Sequence, residues 1–287
     1  MFAITGITGR VGAIAAATLL KAERQVRAVV RSEEKGAAWK ARGCEIAVVP
    51  DAEDQTALER AFDGVEGVFL MNPPNYDSDA GFTDTRRRVA AATRALSKVK
   101  PGRAVLLSTV GAQVSAFNLL NWAGIYEAAL AETGIPAAFL RAAWFMENAS
   151  WDVAAAREGR FPSHLQPLDR AIHRVSVKDI GRVAAELLQE TWTGLRRIEL
   201  AGPRKYSPND EAAGFAAALG RPVEAVAVPR DTWDAQFRAQ GMQHPNGRIR
   251  MLDGFNEGWI DFERNGTEQR TGSVTFEAVL RELTVQG

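Results

Sequence analysis

Residues 1–20, "MFAITGITGRVGAIAAATLL", decide the fold. A short apolar run (2–5) is followed by three glycines at a spacing of three, Gly6, Gly9 and Gly12, and then by an alanine- and leucine-rich stretch of helical character. A strand-to-helix turn of this kind leaves the first helix amides without partners, at the positive end of the helix dipole. It therefore stabilises an anion, and a pyrophosphate in particular. Glycine, lacking a Cβ, lets the backbone approach such a group closely. The spacing is G-x-x-G-x-x-G rather than the G-x-G-x-x-G dinucleotide fingerprint, and a tight turn with close helix–strand packing would use the same glycines.

Working outward, short β-rich runs alternate with longer helical segments. Residues 26–30, 45–49, 67–71, 104–108 and 137–141 read as strands, and helices are predicted between them, near 82–98 and 118–133 among others. This order implies a parallel sheet with right-handed crossovers, an α/β doubly wound architecture. Ser32 and Asp51 precede helical runs, and Gly43, Gly64 and Gly134 follow them as stops. Beyond residue 148 the alternation loosens. We expect residues 1–148 to form the main domain, with 173–202 returning to it, and residues 149–172 and 203–287 to form a small C-terminal α/β lobe.

Composition narrows the function. Lysine plus arginine and aspartate plus glutamate number 35 each, so no net field draws the chain to nucleic acid or to an anionic membrane, and a small molecule is the expected partner. The Arg86–Arg87–Arg88 run, on a predicted amphipathic helix, reads as a solvated face. Cys44 is the single cysteine, and His164, His173 and His244 are scattered, so no metal site is expected. With no run of roughly 18 apolar residues and a strand beginning at residue 2, the expectation is a cytoplasmic protein, monomeric or homodimeric.

The end of the second strand tests the cofactor. An acidic residue there would hold the adenosine ribose, and a basic one a 2′-phosphate. The strand ends in Arg31, with Lys35 one helical turn on, which favours NADP(H) because a guanidinium grips phosphate in a bidentate fork. Glu33 and Glu34 follow, and either could bind ribose instead.

Together with these features, "GVFLMNPP" (67–74), "LLSTVGA" (106–112), "TGIPAAFLRAAWFMEN" (133–148), "VSVKDIGRVAAELL" (175–188) and "MLDGFNEGWIDFE" (251–263) resemble the NmrA-like family of atypical short-chain dehydrogenases/reductases. The resemblance implies an NADP(H)-binding Rossmann domain beneath a small lobe. It places Gly6, Thr8, Gly9, Arg10 and Val11 on the pyrophosphate, Arg31 and Lys35 on the 2′-phosphate, and Asp51 and Ala52 on the adenine. Asn72, Pro73 and Pro74 fall on the nicotinamide half, with Ser108 and Phe145 as further cofactor contacts. Tyr76, Trp144, Met146, Phe255 and Trp259 are the substrate candidates.

One departure matters. Ordinary short-chain dehydrogenases carry Tyr-x-x-x-Lys on the helix after the fifth strand as the proton-donating pair. With Glu127 as the landmark, those positions fall here on Leu119 and Ala123, neither of which moves a proton. Tyr126, on the same predicted helix, is the best alternative donor, with Ser108 and Thr109 as the other catalytic candidates. A ketone needs a proton as hydride arrives, whereas a quinone or other electron-poor acceptor yields an already stabilised product. The expected activity is thus NADPH-dependent reduction of a quinone-like or enone acceptor. The alternative is a catalytically silent NADP(H) sensor.

Overall fold

The computed structural model describes residues 1–286. Its first half alternates strictly: β1 (Phe2–Ile4), α1 (Arg10–Lys21), β2 (Val26–Val30), α2 (Glu33–Lys40), β3 (Glu45–Val48), α3 (Gln55–Phe62), β4 (Gly67–Met71), α4 (Thr83–Val99), β5 (Arg103–Thr109), α5 (Asn121–Ala131) and β6 (Ala137–Ala142). Then follow β7 (Trp144–Phe145), a 3₁₀ turn (Met146–Trp151), α6 (Val153–Arg157), β8 (Arg160–Ser163), β9 (Ile172–Val175), α7 (Val177–Gln189) and β10 (Leu195–Ala201). The remainder holds β11 (Lys205–Tyr206), α8 (Pro208–Leu219), β12 (Glu224–Ala227), α9 (Trp233–Ala239), α10 (Pro245–Glu257), β13 (Glu268–Thr271) and α11 (Phe276–Gln286).

Eight strands form one parallel sheet in the order β13-β10-β6-β5-β4-β1-β2-β3. Its central strands are apolar on both faces because both faces are covered. On one face Ala15, Ala16 and Leu19 of α1 pack with Ile180 and Ala184 of α7. On the other lie Leu58 and Phe62 of α3, Val89 and Leu96 of α4, and Tyr126 and Leu130 of α5. Side-chain caps start several helices: Ser32 accepts from Lys35 N, Asp54 from Ala57 N, and Ser207 forms a capping box with Asp210. Asp54, three residues beyond the expected Asp51, is the cap of α3. Gly43, Gly64 and Gly134 all have positive φ and terminate their helices.

The small lobe has its own core, with Met146, Phe161, Tyr206, Phe215, Phe276 and Leu280 buried together. The split expected from the sequence at residue 203 breaks down in two places. β13 leaves the small lobe to pair with β10 at the edge of the main sheet, and Trp233, Phe237, Ile249, Leu252 and Phe255 of α9 and α10 join the large core on the α1 face. β9 lies outside the main sheet, between β11 and β7. Among the described residues no helix is long and apolar enough to cross a membrane.

Candidate functional site

The chain passes from β1 outward to β2 and β3 on one side, and to β4, β5 and β6 on the other. The reversal between β1 and β4 makes a crevice beyond their carboxyl ends, where doubly wound sheets bind ligands. Gly6 turns the chain there with φ +60°, and a Cβ on it would lie 2.7 Å from Met71 Cγ. A Cβ on Gly12 would lie 2.8 Å from the carbonyl carbon of Gly6 and closer still to its oxygen. Those two glycines serve the turn itself. Gly9 is different: it is exposed, it begins α1 without any side-chain cap, and it leaves the amides of Arg10, Val11 and Gly12 without intrahelical acceptors. The Val11 side chain is buried in the core, so this residue can offer a ligand only its backbone.

Around this socket the predicted cofactor residues are open. Thr8 and Arg10 are exposed. Arg10 reaches across the crevice to donate to the Glu147 carbonyl at 3.1 Å, while the Glu147 carboxylate is held by Ser176 Oγ and Val177 N. Arg31 and Lys35 are exposed beyond β2, and among the described residues no carboxylate lies within ion-pair distance of either. Asp51 and Ala52 are exposed past β3, with one Asp51 oxygen accepting from Glu53 N. At the end of β4 stand Asn72, whose Oδ1 is buried without a partner, half-buried Pro73 and exposed Pro74.

The other half of the crevice departs from expectation. Ser108 is buried and donates to Glu127 Oε1 at 2.6 Å. Glu127 in turn takes Arg141 Nε at 2.9 Å and a second guanidinium nitrogen at 2.6 Å, and Arg141 also binds Glu263. Burial opposes the Arg141 charge, but the two carboxylates outweigh it and hold its pKa above the ordinary value. Ser108 is thus a strut joining β5 to α5, not a reacting group. Thr109, half-buried, alternates to the opposite face, the α1 side of the sheet.

Tyr126 is also corrected. It is 4% exposed, in the apolar layer between the sheet and α4 and α5, and burial pushes its phenol pKa far above the usual value. It does not face the crevice. The predicted helix around 118–133 begins only at Asn121, and Leu119 lies just before it, buried, with its amide donating to Gly247 O at 2.8 Å. Ala123 is fully buried.

Met146 belongs to the small-lobe core, with no surface to offer a substrate. Phe255 is buried edge-to-face against Trp144, with ring centroids 5.1 Å apart, so it backs the crevice wall from behind. Trp144 and Phe145 are half-buried in β7, Trp259 is half-buried with Nε1 on Glu257, and Tyr76 is exposed, edge-on to Trp151 at 6.1 Å. His173, against the Phe262 ring, has its pKa lowered by burial and then by Lys205.

Residues 1–246 match the model of the NmrA-like family. The chain belongs to that family. Among its relatives, the NAD(P)H azoreductase of Xenophilus azovorans is 28% identical over 261 residues, covering 90% of this chain and 85% of the relative. Quinone oxidoreductase 2 of Escherichia coli (strain K12) is 28% identical over 255 residues, covering 88% and 85%. Two solved structures share the fold of this NmrA-like chain. Triphenylmethane reductase from Citrobacter sp., complexed with NADP(H), superimposes with TM-score 0.81 at 21% identity, over 99% of this chain and all of that one. The NADPH-dependent quinone oxidoreductase from E. coli, complexed with NADPH, gives TM-score 0.81 at 24% identity over 99% of each.

Sequence reasoning missed Arg141 and Arg248. Arg141 could have been noticed as a charge closing the otherwise apolar run "AAFLR". Arg248, half-buried on α10, carries no local signal, because what distinguishes it is its surroundings.

Proposed function

We propose that this NmrA-like protein is an NADPH-dependent oxidoreductase that reduces a quinone-like or other electron-poor aromatic or enone acceptor. The observation that carries this reading is a contrast inside one crevice. The cofactor half is open and cationic, while Leu119 and Ala123, the positions where the sequence comparison expects a proton-donating Tyr–Lys pair, are apolar and buried. The residues fit NADPH. Uncapped α1 amides suit a pyrophosphate, the unpaired Arg31 and Lys35 suit a 2′-phosphate, and Asn72 Oδ1 lacks a partner that an amide or hydroxyl could supply.

When bound, the nicotinamide supplies hydride. The chain's own part is to orient and to exclude water: Trp144, packed edge-to-face on Phe255, offers an aromatic surface to a flat acceptor. Tyr126 and Ser108 are both turned away, so neither of these predicted donors is placed to protonate an alkoxide. A quinone, an azo dye or a cationic dye needs no such group, because water can protonate its reduced form after transfer. Curated relatives named as azo and quinone reductases support the same acceptor class.

The test is NADPH oxidation followed spectrophotometrically with quinones, azo dyes and triphenylmethane dyes on one side and simple ketones on the other. Turnover confined to the first group is expected. Turnover of ketones at comparable rates would overturn the absence of a proton donor, and none with any acceptor would overturn the reductase reading.

A further inference from the structure

Arg248, on the second turn of α10, is a half-buried cation with no counter-ion. Among the described residues no carboxylate comes within ion-pair distance, and its one polar contact is a 3.9 Å approach to Met242 Sδ. The deeply buried arginines of this chain are not left so: Arg141 pairs with Glu127 at 2.6 Å and Arg174 with Glu211 at 2.7 Å. Asp77, on the loop that carries Tyr76, is taken by the amides of Gln243 and His244 at 2.9 and 2.5 Å. Arg238 on α9 is paired with Asp234. A desolvated charge without a partner is unfavourable, so its retention marks a place where a ligand can complete the pair.

The surroundings are aromatic. The Arg248 guanidinium carbon sits 4.4 Å from the Phe237 ring centroid and 6.0 Å from that of Tyr76. His164 stacks on Phe237 at 5.2 Å, and its Nε2 is buried with no hydrogen-bond partner. Burial, followed by the Arg248 charge, lowers the His164 pKa against a hydrogen bond with Gln236 that raises it. Tyr76 ties the cluster to the crevice, because it follows Asn72 by four residues and packs on Trp151 in the turn that Arg10 contacts through Glu147.

We propose that Arg248 binds an anionic group on the acceptor, so that the substrate class is an electron-poor aromatic bearing a carboxylate or sulfonate. This rests on the reductase reading above and narrows it. A guanidinium flanked by rings keeps its N–H fork free for bidentate contact with such an anion, while Tyr76 and Phe237 lie beside the acceptor's own ring system.

Binding is measured by calorimetry on the NADP⁺-loaded protein, so that the pyrophosphate socket is already filled. The probes are naphthoate and its uncharged isostere naphthamide. Wild-type protein is expected to bind naphthoate at least about tenfold tighter, less so at high salt; Arg248→Met should abolish that preference and Arg248→Lys keep part of it. Equal binding of the two probes by the wild type, or a preference that survives in Arg248→Met, overturns the proposal. Turnover of naphthoquinone and its sulfonate is measured in parallel, the kcat/KM of the sulfonate relative to that of naphthoquinone falling about tenfold or more in Arg248→Met. Failure of these quinones and of the dyes named above to oxidise NADPH would remove the reductase reading while the calorimetry still decides the role of Arg248.

Discussion

The two halves of the crevice solve opposite problems with polar groups. At the carboxyl ends of β1, β2 and β4 they are left unspent: bare amides at the start of α1, unpaired Arg31 and Lys35, an orphaned Asn72 oxygen. At the ends of β5 and β6 they consume one another, Ser108 with Glu127, Glu127 with Arg141, Arg141 with Glu263. A polar residue at a strand end is thus a binding group only where the fold gives it no partner. The first half leaves its polar groups free for a ligand, and the second spends them on the protein.

The sharpest way to break that comparison is Glu127→Ala. It would leave the buried Arg141 with only the partly exposed Glu263 as counter-ion and is expected to cost about 3 kcal/mol of stability, the low end for a broken buried pair, read as a lower urea midpoint with an unchanged slope. Ser108→Ala should cost only about 1 kcal/mol, because Arg141 still holds Glu127, and should leave kcat intact. A fall in kcat of two orders of magnitude with little loss of stability would instead return Ser108 to the reacting groups.

Gly12→Ala is the counterpart in the cofactor half. The added Cβ meets the Gly6 carbonyl, which is backbone and cannot turn aside. Overpacking of this kind costs about 1–3 kcal/mol, and because the turn must open to relieve it, affinity for NADPH and for NADH should fall together. Arg31→Ala separates charge from shape. The KM for NADPH should rise about 10- to 100-fold, the worth of a charge-assisted contact, with the KM for NADH unchanged. If discrimination between the two cofactors persists, another group holds the 2′-phosphate.

The same contrast explains what could be read from the sequence. The cofactor half is built from neighbours in the chain, so the glycine spacing, the strand-end Arg31 and the strand–helix alternation carried its form with them. The substrate half is built by distant pieces. Nothing in "LLSTVGA" says that Glu127 will take the serine and Arg141 the glutamate, and nothing in "NGRIRMLDGF" says that none of the described acids will reach Arg248. Tyr126 misled because a three-residue step from Ala123 places it near the same helix face only on an ideal helix of fixed orientation. In the fold that position points into the layer shared with α4. β13 was lost to the small lobe for a related reason: its sequence, "EQRT", is polar, as suits an exposed edge strand, and has none of the apolar pattern of the central ones.

The smallest expected effect is also the most discriminating. Tyr126→Phe should change kcat by less than about twofold with any acceptor, where loss of a general acid would cost about 10²–10⁴. Its signature should appear in stability instead. An unfolded tyrosine loses its proton near pH 10, while burial keeps Tyr126 protonated well above that. Above pH 10 the unfolded chain therefore binds fewer protons than the folded one, and stability falls as pH rises. Tyr126→Phe removes that contribution, so its denaturation midpoint should decline less steeply than the wild type's on the alkaline side and run parallel to it below pH 9. An alkaline limb in the rate profile that vanishes in Tyr126→Phe, with no change in alkaline stability, would mean that the phenol reaches the crevice after all and that the second half of the site holds a proton donor.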